Sequence, residues 1–177
     1  MTAIEFFVYG VPQPQAGTRT VPTAGGNRQI STGGKDLSSW RQEVATTARV
    51  IAVNRREQLV GAVRLVVVFT FVMPASRPAW ARRQGWCYRT TTPDLDKLTR
   101  AIGDSLKAGG LLRDDALIAV THVAKIEQVK APYGARIGVE LLRPLHDETR
   151  GWFPYAPDSV QFDRSFDEHL DPDHLIT

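Results

Sequence analysis

Apolar runs and alternations divide the first 144 residues into strands and helices. Aromatic and β-branched residues dominate Ile4–Tyr9, and Val63–Val72 is almost continuously apolar, so we predict a strand at each position. The second run is apolar at both odd and even positions, which indicates a strand buried on both faces at the centre of a sheet. Two further strands are predicted near Leu117–Lys125 and Ala135–Leu142.

Two other segments have apolar residues at helical spacing. The first covers Ser39–Val53 and is expected to open at Asp36 or Ser38. The second covers about Leu95–Lys107 and ends at Gly109–Gly110. The apolar stripe of the second helix consists of Leu95, Leu98, Ile102 and Leu106.

The remaining segments of this region are predicted to be turns and loops. Short strands are expected at Arg19–Val21 and Arg28–Ile30, joined by a turn at residues 25–27. Residues 73–92 hold prolines, arginines and aromatics without periodicity, and they are predicted to form a long loop. The order of elements predicts an α+β fold in which two main helices pack on a mixed β-sheet.

Charge divides the chain near residue 144. Residues 145–177 hold eight acidic and two basic side chains, and the first 144 residues hold the other 20 basic and 11 acidic ones, a net charge of +9. We therefore expect one folded domain over residues 1–144 and an acidic tail over residues 145–177, either disordered or docked. A basic body suits a polyanion such as DNA or RNA, although charge alone identifies no partner.

Composition disfavours several classes of protein. Cys87 is the single cysteine, so an intramolecular disulfide is excluded and a cysteine zinc site is not indicated. The apolar run at Val63–Val72 is too short to span a bilayer, and the first residues lack the features of a signal peptide. We expect a cytoplasmic protein with no membrane partner.

Four carboxylates carry the candidate chemistry. Asp94 and Asp96 stand two residues apart at the start of the second predicted helix, and Asp114–Asp115 follow its glycine stop. Carboxylates that converge on a basic surface could hold Mg²⁺, which activates water and neutralises phosphate charge in phosphodiester hydrolysis. The alternative is structural, with Asp94 as a helix cap, Asp96 beside the helix dipole and the paired aspartates in a turn. Spacing alone favours this structural alternative.

The same segment resembles a known signature. The residues Pro93-Asp94-Leu95-Asp96-Lys97-Leu98, Asp104-Ser105-Leu106, Gly110 and Asp114-Asp115 are similar to the pattern PDxDNLxKxxxDALxxxGxxxDD of the RusA family of Holliday junction resolvases. Five acidic positions fall in register with that pattern. The order of the predicted strands and helices agrees with the family over about residues 4–143.

The resemblance implies a homodimeric endonuclease, of a family common in phages and prophages, that cuts branched DNA at four-way junctions by paired nicks. It implies Mg²⁺ as the cofactor, with Mn²⁺ able to substitute. The essential aspartates of the family fall on Asp94, Asp96 and Asp115, with Asp114 as an accessory ligand. A phage-encoded member would act in the cytoplasm of its bacterial host.

Two departures from the family pattern concern basic residues. The asparagine after the second aspartate is Lys97 here, and the catalytic lysine of the family is Arg100. Arg100 shares a helix face with the second aspartate, so it could reach a phosphate. Arginine does not readily release a proton, so an electrostatic role transfers to Arg100 and a general-acid role does not. Gln13 and Gln15 stand where a basic residue is usual, and Arg19 comes later.

Basic residues near the acidic segment are candidate DNA contacts. The predicted loop over residues 73–92 interleaves arginines with Trp80, Trp86 and Tyr88, and it leads directly into Asp94. Arginines would bind phosphates and aromatic rings could stack on unpaired bases, unless the tryptophans pack on the core instead. The candidate DNA-binding residues are Arg19, Arg77, Arg82, Arg83, Arg89 and Lys97.

Three alternatives stay open beside a junction resolvase. The chain could be a broader structure-specific nuclease that cuts flaps or forks. It could be a branched-DNA-binding protein without catalysis, which the arginine at position 100 suggests. It could also be a globular protein with a chance motif, in which case the aspartates would lie far apart.

Overall fold

The computed structural model describes residues 3–16, 18–23, 26–31 and 34–142. The helices are α1 (Lys35–Arg55), α2 (Ala79–Gln84) and α3 (Leu95–Ala108). The strands are β1 (Ala3–Tyr9), β2 (Thr18–Thr23), β3 (Gly26–Ser31), β4 (Val63–Val72), β5 (Trp86–Tyr88), β6 (Ile118–Gln128) and β7 (Gly134–Leu141). A single 3-10 turn at Asp115–Leu117 leads into β6.

Five of these strands form one mixed sheet in the order β1-β7-β4-β6-β5. β4 lies at its centre, as its continuous apolar run predicts, and pairs antiparallel with β7 and parallel with β6. The hairpin predicted before α1 is also present, because β2 pairs with β3 in a separate two-stranded sheet. The α+β fold with a mixed sheet and two main helices is therefore confirmed.

The core lies between the sheet and the two long helices. α1 contributes Trp40, Val44 and Ala48, and α3 contributes Leu98, Ile102 and Leu106. Alternate residues of β4 meet them from the sheet, since Val63, Leu65, Val67 and Phe69 are each fully buried. The apolar stripe predicted on the second helix is thus the face by which α3 packs on the sheet. No helix in the described part of the chain is long and apolar enough to cross a bilayer.

Two predictions about local structure are wrong. α1 begins at Lys35, earlier than Asp36 or Ser38, and its N-cap is Gly34 without a side-chain hydrogen bond. Residues 73–92 are not one loop, because they contain α2 and the three-residue strand β5. Elements this short show no recognisable periodicity, and β5 forms because the edge of β6 is available to pair with it. The predicted acidic tail lies outside the described residues.

Gly109 sets how closely α1 and α3 approach each other. A Cβ atom at this position would lie 2.4 Å from the Ala45 carbonyl oxygen and 2.8 Å from the Ala48 Cβ. Both atoms belong to the middle of α1, so neither can move without shifting that helix. Gly109 therefore ends α3 at the point where the two helices touch.

We expect Gly109→Ala to lower the free energy of unfolding by about 2 kcal/mol, since the added methyl group overpacks the helix contact. Gly138→Ala is the matched control, because its nearest neighbour would be the Val66 Cβ at 3.5 Å, an ordinary contact. Urea unfolding of both variants measures the difference. Equal stability of the two variants would contradict this account of the α1–α3 contact.

Candidate metal centre

Asp94 occupies the N-cap position of α3 without acting as a side-chain cap. Its carboxylate makes no capping hydrogen bond. Instead, Lys97 Nζ donates a hydrogen bond to Asp94 Oδ2 at 2.7 Å, and both side chains are about half exposed. This contact lowers the pKa of Asp94 and raises that of Lys97. The capping explanation of Asp94 therefore fails, and its carboxylate is presented to solvent beside an ammonium group.

The exposed side of α3 carries the other polar residues of the signature. Asp96 and Arg100 are both exposed and stand four residues apart, so they share one face of the helix. Gly103 and Lys107 follow on the same face at helical spacing, with Gly103 buried and Lys107 exposed. A Cβ atom on Gly103 would lie 3.8 Å from the Asp115 Cβ, so Asp115 sits against the middle of α3.

Asp114 and Asp115 share one ammonium group. Lys107 Nζ lies 2.8 Å from Asp114 Oδ2 and 3.1 Å from Asp115 Oδ1. The hydrogen bond from Lys107 is the main cause that lowers the pKa of Asp114 to about 2, and the pKa of Lys107 is raised in turn. Asp114 Oδ1 also accepts the Ala116 backbone N–H at 3.0 Å, so it caps the 3-10 turn. The structural explanation therefore holds in part for Asp114.

The carboxylates of the signature fall into two groups, Asp94 and Asp96 at the start of α3 and Asp114 and Asp115 beside its middle and end. The backbones of Asp96 and Gly103 are separated by roughly 10 Å at a rise of about 1.5 Å per residue, and Asp115 lies beside Gly103. Across the described ranges, no three acidic, histidine or cysteine side chains meet closely enough to hold a metal ion. The convergence of Asp94, Asp96 and Asp115 on one point stays a prediction.

The donor chemistry of both pairs nevertheless suits a hard divalent cation. Mg²⁺ is usually held by one or two carboxylates, with substrate phosphates and water completing its octahedron. Asp114 and Asp115 supply such a pair, and Asp94 and Asp96 supply another. A lysine ammonium already binds to an oxygen of each pair, which shows that both places stabilise positive charge.

Arg77 and Arg89 were predicted to contact DNA, and the structure pairs both with Glu127. Glu127 on β6 is fully buried, and it accepts hydrogen bonds from Arg77 Nη2 at 2.8 Å and Arg89 Nη1 at 2.9 Å. Arg89 also stacks on the Phe71 ring at 4.7 Å. Sequence reasoning missed Glu127, whose only signal is a lone acid between apolar and amide residues at the end of a strand. These two arginines have a structural role, and their contact with DNA stays a prediction.

The other candidate DNA contacts lie on more accessible surfaces. Arg82 and Arg83 are exposed on α2, and Arg82 Nη1 donates a hydrogen bond to the Ala75 carbonyl at 3.2 Å. Trp80 is 57% exposed, so it does not pack into the core. Trp86 and Tyr88 stack edge to face on β5, with ring centroids 5.5 Å apart. Arg19 lies on β2, where side chains are outside the described structure.

A groove of about 490 Å³ adjoins the start of α3. Residues 11–14 line it, and the adjoining Gln15 N donates to the Lys97 carbonyl at 2.8 Å, which ties this segment to the helix. Phe71, Arg89, Asp94 and Lys97 also line the groove. Lys125 Nζ fixes the approach to α3 by hydrogen bonds to the Thr91 and Pro93 carbonyls at 2.8 and 2.7 Å.

The sequence of this chain matches a known protein family. The family model described as endodeoxyribonuclease RusA matches residues 10–141, which include every strand and helix after β1 and all four carboxylates. A comparison with curated proteins found no match. A match over this much of the chain excludes a chance motif at residues 93–115. The chain therefore belongs to the RusA family of metal-dependent endodeoxyribonucleases, the Holliday junction resolvases.

Proposed function

We propose that Mg²⁺, with Mn²⁺ as a substitute, is the metal of this endonuclease, and that Asp94, Asp96, Asp114 and Asp115 hold it. The observation that carries the proposal is the pair formed by Asp114 and Asp115, whose oxygens already bind a shared ammonium group. Asp94 and Asp96, at the start of α3, supply the other two carboxylates. A DNA backbone lying along α3 would pass both groups of carboxylates.

Bound Mg²⁺ would supply charge neutralisation at the scissile phosphate and a lowered pKa for an attacking water. The residues of the chain contribute position and charge. Asp96 and Asp115 fix the position of the metal site along α3. Arg100 lies between them on the exposed face. Its guanidinium stabilises negative charge on the phosphate without giving up a proton, because arginine stays charged in proteins.

We propose that DNA approaches across the groove beside α3. Lys97 lines the groove and exposed Arg82 and Arg83 lie on α2, so these three residues are the proposed phosphate contacts. Arg19 remains a further candidate, on the hairpin of β2 and β3. Exposed Trp80 could stack on a base left unpaired at the branch point.

We propose a homodimer as the active form. Two symmetric cuts on opposite strands of a four-way junction require two active sites related by a two-fold axis, which a symmetric dimer supplies. Membership of a family that is common in phages and prophages supports a place of action in the cytoplasm of a bacterial host. Size-exclusion chromatography with light scattering measures the oligomeric state directly.

The substrate is tested with matched DNA molecules of one sequence. We expect Mg²⁺-dependent, paired nicking of a synthetic four-way junction, with slower cleavage of a flap or a replication fork and none of linear duplex. EDTA should stop cleavage and leave junction binding, because binding rests mainly on phosphate contacts. Faster cleavage of flaps than of junctions would favour the broader structure-specific nuclease. Binding without metal-stimulated cleavage would support the non-catalytic alternative that Arg100 suggests.

A further inference from the structure

Lys107 occupies a position that the family signature leaves unspecified. It belongs to the last turn of α3, where a positive charge is favoured by the helix dipole. Its ammonium group contacts one oxygen of Asp114 and one of Asp115, and the three side chains are each between 43% and 46% exposed. The lysine therefore holds two carboxylates together on a surface that water and ions can reach.

Electrostatics explains why these three groups stay together. Two carboxylates within reach of one ammonium would repel each other without it, and the ammonium offsets that repulsion. The raised pKa of Lys107 and the lowered pKa of Asp114 both follow from their hydrogen bond. The oxygens that Lys107 binds are those a divalent cation would need, so the two cations compete for the same atoms.

We propose that Lys107 is a positioning residue for the metal site: it holds Asp114 and Asp115 in the metal-free protein and lowers their affinity for the divalent cation that replaces it. The proposal rests on the assignment of these two aspartates as metal ligands. It adds a feature of this chain, a built-in cation that offsets one of the two negative charges of Asp114 and Asp115 until metal and DNA arrive.

The proposal predicts two effects of opposite sign. Removal of the ammonium should tighten Mg²⁺ binding, because the metal no longer displaces a bound cation. It should also weaken junction binding in EDTA, because two carboxylates then face the phosphates without a counter-charge. A lysine with only a structural role would loosen the turn and weaken both kinds of binding.

Isothermal titration of MgCl₂ into the full-length protein without DNA tests the first effect. We expect Lys107→Met to bind Mg²⁺ about five- to tenfold more tightly than wild type, as two exposed ion pairs are lost. Lys107→Arg should stay near wild type, because it keeps the charge. Lys130→Met is the matched control, an exposed lysine on the turn between β6 and β7. Thermal unfolding of each variant shows that the fold is kept.

The outcomes distinguish the proposed role of Lys107 from the assignment of Asp114 and Asp115 as metal ligands, on which that role rests. Asp115→Asn should weaken Mg²⁺ binding, and unchanged binding in that variant would overturn both the ligand assignment and the role of Lys107. If Asp115→Asn weakens binding while Lys107→Met leaves it unchanged or weaker, only the role of Lys107 is overturned. Should Lys107→Met unfold, unchanged Mg²⁺ affinity in Lys107→Gln would overturn it equally, and tighter binding would support it.

Discussion

Asp96→Asn is expected to slow cleavage of a four-way junction about a thousandfold, which corresponds to a loss of roughly 4 kcal/mol of transition-state stabilisation. Asparagine keeps the size of the side chain and its place on α3, but it removes the negative charge that a divalent cation requires. Junction binding in EDTA should stay unchanged or tighten, because one charge that repels phosphate is gone. Single-turnover cleavage with Mg²⁺ and gel shifts in EDTA measure the two effects separately.

Asp104→Asn is the matched control for that experiment. Asp104 is also an aspartate of the signature on α3, but it lies 3.8 Å from Arg41 of α1 and not with the exposed carboxylate pairs. We expect cleavage near the wild-type rate, since an ion pair of this length contributes little. Cleavage by Asp96→Asn at the wild-type rate would show that Asp96 is not a metal ligand. Equal losses in both variants would point to a defect in α3 rather than in the metal centre.

Glu127→Gln is expected to cost about 3 kcal/mol of unfolding free energy, because it leaves the charges of Arg77 and Arg89 partly buried without a counter-ion. The carboxylate is fully buried, while the two arginine side chains are 24% and 19% exposed. Glu140→Gln is the control, since its partner Arg64 lies 3.2 Å away at a more exposed place. That change should cost less than about 1 kcal/mol. Urea unfolding at neutral pH compares the variants.

The effect of Glu127 should also depend on pH in a definite direction. The hydrogen bond from Arg77 lowers the pKa of Glu127 in the folded protein below its ordinary value of 4.5. Its stabilisation is therefore complete above that ordinary value and is lost as the pH falls through the folded pKa. The difference in unfolding free energy between wild type and Glu127→Gln should disappear in acid. A gap that stays constant from neutral pH to strong acid would contradict the charge-based explanation.

The sequence predicts the parts of this protein that have long, regular patterns. The apolar run predicts the central strand β4, and the apolar stripe predicts the buried face of α3. The predicted bounds of α3 agree with the observed helix within one residue at each end. The signature between Pro93 and Asp115 identifies the family, which the match over residues 10–141 confirms. Each of these features is encoded by residues close together in the chain.

The features that sequence reasoning missed depend on partners distant in the chain or on short elements. Arg77 and Arg89 are ordinary loop arginines until the fold brings Glu127 beneath them. α2 has six residues and β5 has three, too few for either period to be recognised. Lys107 meets Asp114 only because the chain reverses after Gly109. The sequence shows where the candidate aspartates stand along the chain, but it does not show which lysine contacts each of them.

The parallel pairing of β4 with β6 has a consequence for how this protein folds. The register joins Val63 to Ile118, so the whole segment containing α2, β5 and α3 must be enclosed before the pair can form. Closing so large a loop is entropically slow, and contacts of this kind dominate the folding time of a domain. Asp94 through Asp115 lie inside the enclosed segment and are linked by local contacts along α3. The acidic helix and its turn can therefore take shape early, while the central sheet is completed in the slow step.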